Sequence, residues 1–221
     1  LRELAELAAA EDRLEQAAEA WEKVADLATD PDREDKAWSR VIDLRMQDPH
    51  GLTSFYVELS RKHAKSPDDR TTVLRLGTLL ERATVLAGEN AAVVLYREYL
   101  DAHPDDTRVM LRLARLAKGG EAAMLYERLI TLDAPNAKRY LVELIAHHLA
   151  AGRPGDAVRA DERLVERYGQ DPSAWAVLGR VHESMHRWSQ AAEAFGRALS
   201  LRPDDPALFD ALARAYEATG D

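Results

Sequence analysis

The chain has 221 residues, long enough for one or two ordinary domains or for a repeat array, so length alone does not choose between them. Hydrophobic residues make up 46% but aromatics only 6%, and Ala, Leu, Glu and Arg are plentiful, a composition for helices that meet through small contacts. A formal charge of −9, from 39 acids against 30 bases, disfavours nonspecific nucleic-acid binding, so no nucleic-acid partner is expected, while leaving room for a local basic face. The absence of cysteine removes disulfides and thiolate chemistry and leaves both a cytoplasmic and a periplasmic location open. No stretch approaches the roughly 20 apolar residues that would cross a bilayer, so no direct membrane insertion is expected.

In chain order, the pattern reads as helix pairs. Residues 1–31 carry Leu4 and Ala5, then Ala17, Trp21 and Val24. Residues 32–69 carry Trp38 and Phe55 but no clean pair of small residues. Residues 70–106 hold Leu76-Gly77, then Ala92, Tyr96, Tyr99 and Pro104, and predict an extended first helix. Residues 107–137 are shortened at Lys118-Gly119-Gly120. Residues 138–171 and 172–205 are the most regular, and 206–221 supply only a first helix. Gly152, His186 and Gly220 succeed one another at intervals of 34 residues, and Ala157 precedes Ala191 by the same interval. Proline stops followed by paired aspartates at Asp68-Asp69, Asp105-Asp106 and Asp204-Asp205 read as helix ends followed by N-terminal caps rather than cation sites. The chain begins at Leu1 inside an amphipathic pattern and stops at Asp221 after a turn glycine, which reads as a fragment of a longer protein.

Residues 172–205 set Trp175, Leu178-Gly179, Ala191, Phe195, Ala198 and Pro203 at fixed spacings. These spacings resemble the tetratricopeptide repeat, whose pattern has Trp fourth, Leu-Gly seventh and eighth, Ala twentieth, an aromatic twenty-fourth, Ala twenty-seventh and Pro thirty-second. The resemblance implies an all-α, right-handed solenoid of antiparallel helix pairs, here about six and a half repeats and 13 helices in a single domain over 1–221. The small residues let two helices approach closely and the aromatic fills the space beside them.

His182-Glu183-Ser184-Met185-His186 matches the H-E-x-x-H pattern, in which two histidines four apart on a helix ligate zinc and the glutamate is a general base. This gives a remote alternative, a zinc hydrolase built on His182, Glu183 and His186. The repeat register already occupies both histidine positions and no third ligand is evident. We therefore expect no catalytic residue, metal site or cofactor, and not an enzyme. His63, His103 and His147-His148 form no ligand spacing. The tryptophans Trp21, Trp175 and Trp188 fall on packing positions, while Trp38 has no assigned role.

The resemblance also implies that first helices line a ligand groove through positions 2, 5, 9, 12 and 13 of each repeat. Position 9 gives Arg115, Arg180 and Arg214, and position 2 gives Arg108 and Arg139. These five are the candidate partner-binding residues, and an acidic peptide or a carboxylate-rich protein surface is the specific expectation. Neighbouring acids oppose it: Glu183 follows Arg180 by three residues and Asp210 precedes Arg214 by four. The expected function is a protein-interaction scaffold. The alternative is the periplasmic repeat region of a bacterial polysaccharide-export or secretion machine.

Overall fold

The computed structural model describes residues 1–220, Pro49 by its backbone alone. Thirteen α-helices and two short 3-10 turns account for most of the described residues, and no strand occurs among them. The chain divides into two compact units, Leu1–Val109 and the residues from Met110 onward.

The first unit contains α1 (Arg2–Ala10), α2 (Leu14–Asp26), α3 (Pro31–Arg45), α4 (Pro49–Lys65), α5 (Arg70–Arg82) and α6 (Ala91–Ala102). Helix α7 (Thr107–Leu116) begins in it and runs on into the second unit. The second unit continues with α8 (Gly120–Leu132), α9 (Ala137–Ala150), α10 (Pro154–Tyr168), α11 (Pro172–Ser184), α12 (Trp188–Leu201) and α13 (Pro206–Thr219). From α1 to α6 and again from α8 to α13, each helix packs on its neighbours in sequence. Short connections make those neighbours antiparallel, the arrangement of an α-solenoid of helix hairpins.

Local chemistry explains where the helices start. Asp30, Asp48, Asp69, Asp106, Asp171 and Asp205 each accept a hydrogen bond from a backbone N–H in the first turn that follows. Such carboxylates satisfy donors that have no partner inside the helix and favour its positive end. In each aspartate pair marked by the sequence, the second residue is the cap.

The turns inside the hairpins explain the 34-residue interval. Gly152 (φ 67°), His186 (φ 56°) and Gly220 (φ 83°) all adopt the left-handed conformation just after a first helix, and Asp12 (φ 58°) does so after α1. A left-handed residue reverses the chain and satisfies the last carbonyls of the helix.

The aromatic position works as the spacing predicts. Gly179 lies against the Phe195 ring so closely that a Cβ would sit 2.6 Å from Cδ1, and Gly77 stands in the same relation to Tyr96. Both rings are fully buried. The Tyr96 hydroxyl donates to Glu81 at 2.6 Å, which gives that buried ring a polar anchor. One expectation is corrected here: the first helix of residues 70–106 is not extended. Helix α5 is 13 residues long, and the extra length is taken up by a 3-10 turn at Thr84–Leu86 and the residues leading into α6.

Trp38 now has a role. It is buried, donates Nε1–H to the Arg75 carbonyl at 3.1 Å and packs on Phe55, with the Arg75 guanidinium 4.7 Å above its ring.

Candidate functional site

Two grooves of the same design lie in the two units. In the second unit, α11 and α13 flank a groove of about 420 Å³ whose apolar lining includes Phe195, Ala176, Leu208 and Ala211. Arg180, Arg214 and Arg202 stand on its walls together with Asp205 and Asp210. In the first unit, α1 and α3 flank a groove of about 720 Å³ lined by Trp21, Val24 and Ala37 and walled by Arg2, Glu6, Arg33, Lys36 and Arg40. In the α11–α13 groove, small side chains on the first helices leave the space open, and the Phe195 ring of α12 closes its base.

The five arginines marked by the sequence are spread across both units. Arg180 and Arg214 line one groove. Arg214 donates to Glu183 at 3.4 Å, so Glu183 pairs across to α13 rather than with Arg180 on its own helix. Arg180 is exposed and has no hydrogen-bond or ion-pair partner among the described residues. Arg115 grips Glu143 through two hydrogen bonds of 2.8 and 2.6 Å, and Arg139 reaches the same carboxylate at 3.2 Å. Tyr126 also donates to Glu143, at 3.2 Å. Burial pushes the Glu143 carboxyl up, but the two guanidiniums outweigh it and hold it below its ordinary range. The Tyr126 hydroxyl is pushed up to about 12 by its burial and by the Glu143 charge. Arg108 belongs to the first unit, where it donates to Glu34 at 3.0 Å and Asp35 at 3.4 Å on α3. Four of the five are thus held by carboxylates of the chain itself, and Arg180 is the one whose guanidinium is open.

Sequence reasoning missed the cations of α3. Arg33, Lys36 and Arg40 occupy positions 2, 5 and 9 of the second repeat, counted from residue 32, and that count would have found them. Missed too was Asp161, which precedes Phe195 by 34 residues and so takes the aromatic position of its own repeat. It is fully buried, and neither carboxylate oxygen has a partner. Burial raises its pKa to about 7, against the pull of Arg180.

The histidine motif does not form a helical ligand pair. Helix α11 ends at Ser184, and His186 lies beyond it in a left-handed turn with its ring against Trp188. Two histidines share a helix face only while the helix continues through both. Glu183 is engaged by Arg214. Among the described residues, no group of three or more His, Asp or Glu is placed to hold a metal ion. Among the described residues, no helix is long and apolar enough to cross a membrane.

Comparison with known proteins places this architecture. Residues 172–215 match the family model for the tetratricopeptide repeat. A solved tetratricopeptide repeat protein from Parabacteroides merdae is 18% identical, with a TM-score of 0.56 over 84% of this chain and 74% of that one. YrrB, described as a TPR protein with an unusual peptide-binding site, is 15% identical with a TM-score of 0.48 over 73% of this chain and 84% of its own. Among curated proteins, cellulose synthase 2 operon protein C of Komagataeibacter xylinus is 29% identical over 129 residues, which is 58% of this chain but 9% of that protein. The chain thus spans a small part of that relative's length. Residues 172–215 are thus similar to a tetratricopeptide repeat, and the chain shares its helix-hairpin fold with a solved protein of that kind.

Proposed function

We propose that the chain is a protein-interaction scaffold that holds an acidic peptide segment in the groove between α11 and α13. The observation that carries this reading is the open guanidinium of Arg180 on the wall of a groove lined by small and apolar side chains. Arginine presents a planar fork that a carboxylate can meet with two hydrogen bonds. Arg214, held only at 3.4 Å by Glu183, is a second donor that an incoming carboxylate can recruit. Because the groove is built from helices already packed, little ordering is needed on this side of the complex.

Arg180→Glu combined with Arg214→Glu is expected to weaken binding of a fluorescein-labelled acidic peptide at least about tenfold, read by anisotropy across a peptide panel. Both residues are exposed, so helicity and melting temperature should stay near those of the parent at pH 5.5, where the folded chain keeps the Asp161 proton and the Arg180 charge has no carboxylate there to offset. Unchanged affinity across the panel would remove the groove from the account.

A second reading, the periplasmic repeat region of a polysaccharide-export machine, is favoured by the likeness to cellulose synthase 2 operon protein C over 129 residues. Fractionation of the full-length gene product decides it: a periplasmic pool supports this reading and a purely cytoplasmic one removes it.

A further inference from the structure

We propose that Asp161 makes the grip of the α11–α13 groove on an acidic peptide depend on pH, because its buried carboxylate, once ionised, competes with the peptide for the charge of Arg180. The inference rests on the proposed function of that groove and adds a regulation to it.

The placement of Asp161 follows from the repeat. In residues 172–205 the ring of Phe195, at position 24, closes the groove whose walls carry Arg180 and Arg214, the ninth residues of its own repeat and of the next. Moved back by 34 residues, the same position is Asp161, and the matching wall residues are Ala146 on α9 and Arg180 on α11. Ile145 takes the place that Gly179 has opposite Phe195, so the bulk has changed sides: a large residue on the first helix and a small acidic one on the second. Ile145 and Asp161 are both buried, and neither Asp161 oxygen has a hydrogen-bond partner. Arg180 is the cation that acts on this carboxylate, and it is also the open guanidinium on the groove wall. One charge thus faces two carboxylates, one inside the chain and one offered by a ligand.

Two states of the groove result. Burial raises the Asp161 carboxyl to about 7 against the pull of Arg180, so it is neutral in mildly acid solution and ionised in mildly alkaline solution. In the neutral state the whole charge of Arg180 is available to a ligand. In the ionised state part of that charge is spent inward, and Asp161 repels the incoming carboxylate. The coupling is reciprocal: a bound peptide that engages Arg180 raises the Asp161 pKa further, so binding near neutral pH takes up a proton. Glu162, beside Asp161 on α10, raises its pKa as well. Of the helices packed on α10, α11 also presents His182, which feels Glu162, and α9 presents His148, which feels Asp156 of α10. Burial holds both histidines below their ordinary value, so they become neutral before Asp161 gives up its proton.

The test uses the whole chain and a fluorescein-labelled decapeptide with blocked ends and glutamates at alternate positions around a central leucine, whose carboxylates stay ionised from pH 6 to 8.5. Anisotropy gives the affinity of the parent and of Asp161→Asn across that range, at one ionic strength because screening weakens exposed ion pairs. Affinities are compared where circular dichroism shows both proteins fully helical. As pH rises from 6 to 8.5, the parent should lose about three- to fivefold more affinity than Asp161→Asn, the size of an exposed charge coupling. Histidines common to both proteins cancel in that comparison. Calorimetry at pH 7 in buffers of different ionisation enthalpy should show more proton uptake on binding by the parent than by the variant. Should asparagine disturb the fold, Asp161→Ser replaces it with the same expected outcome. Parallel pH profiles for parent and variant, with equal proton uptake, overturn the switch and leave the groove standing. If Arg180→Glu with Arg214→Glu binds like the parent at pH 5.5, or the parent binds no acidic peptide there, the groove falls and the switch with it.

Discussion

Gly179→Ala is expected to destabilise the chain by about 2 kcal/mol, although alanine is the better helix former by about 1 kcal/mol. The reason is the Phe195 ring. A Cβ on residue 179 would lie 2.6 Å from Cδ1 and 2.8 Å from Cζ, well inside contact distance. The ring cannot retreat without disturbing the buried residues Ala191, Ala192, Ala211 and Ala215 packed around it. Tight interiors answer such insertions with shifted rotamers and separated helices. Gly196 provides the control, because it lies in α12 beside Phe195 and a Cβ there meets nothing within 4 Å. Gly196→Ala should therefore be neutral or stabilising by up to about 1 kcal/mol. Urea titration of both variants measures the difference. Equal effects at the two sites would mean that α11 and α12 do not meet through Gly179.

Asp161→Asn is expected to stabilise the chain, and increasingly so as pH rises. An unfolded chain releases the Asp161 proton near its ordinary value of 3.8, whereas the folded chain keeps it to about 7. Between those values the native state holds the extra proton, so folding weakens as pH increases and the full cost applies above the folded pKa. A displacement of this size corresponds to roughly 4 kcal/mol once the group is ionised on both sides of the equilibrium. The cause is burial without a hydrogen-bond partner, which Arg180 offsets only in part and Glu162 makes worse. Asparagine carries no charge, so relative to its offset below about pH 4 the variant should gain on the parent by roughly 1–2 kcal/mol at pH 5 and by several kcal/mol at pH 8.5. His148 and His182, whose pKa values burial lowers, pull the other way by costing stability as pH falls below the ordinary histidine value. They are present in both proteins and cancel in the comparison. Guanidinium melts at the two pH values read the effect directly, and a constant difference would show that Asp161 is ionised in the native state.

The parts of this molecule that the sequence reveals are those governed by local spacing. Gly179, Ala191, Phe195 and Pro203 recur at family distances, so the hairpins from residue 138 onward can be placed from the chain alone. Capping aspartates are legible for the same reason, since a cap acts on the next three residues. Between residues 32 and 137 the register slips, because the second repeat lacks the small-residue pair and the third carries its extra residues in the connection between α5 and α6. That slip hid Arg33, Lys36 and Arg40. The fate of the arginines was hidden for a different reason. Arg108 meets Glu34 across 74 residues and Arg214 meets Glu183 across 31, and such pairings depend on which helix faces which. Local rules predict Arg180 with Glu183 on one helix, and the fold gives Glu183 to α13. Asp161 was legible in principle by subtracting one repeat from Phe195, but a carboxylate at an aromatic position breaks the pattern that would draw the eye to it.

The proposed function has the groove between α11 and α13 take hold of an acidic partner. Amide chemical-shift mapping of the isotope-labelled chain, titrated with the glutamate-rich decapeptide, tests it most directly. Saturable shifts should gather on α11 and α13 around Ala176, Arg180, Ala211 and Arg214. Shifts that fall instead on the outer faces of α2, α4, α10 or α12, or that never saturate, would contradict the account.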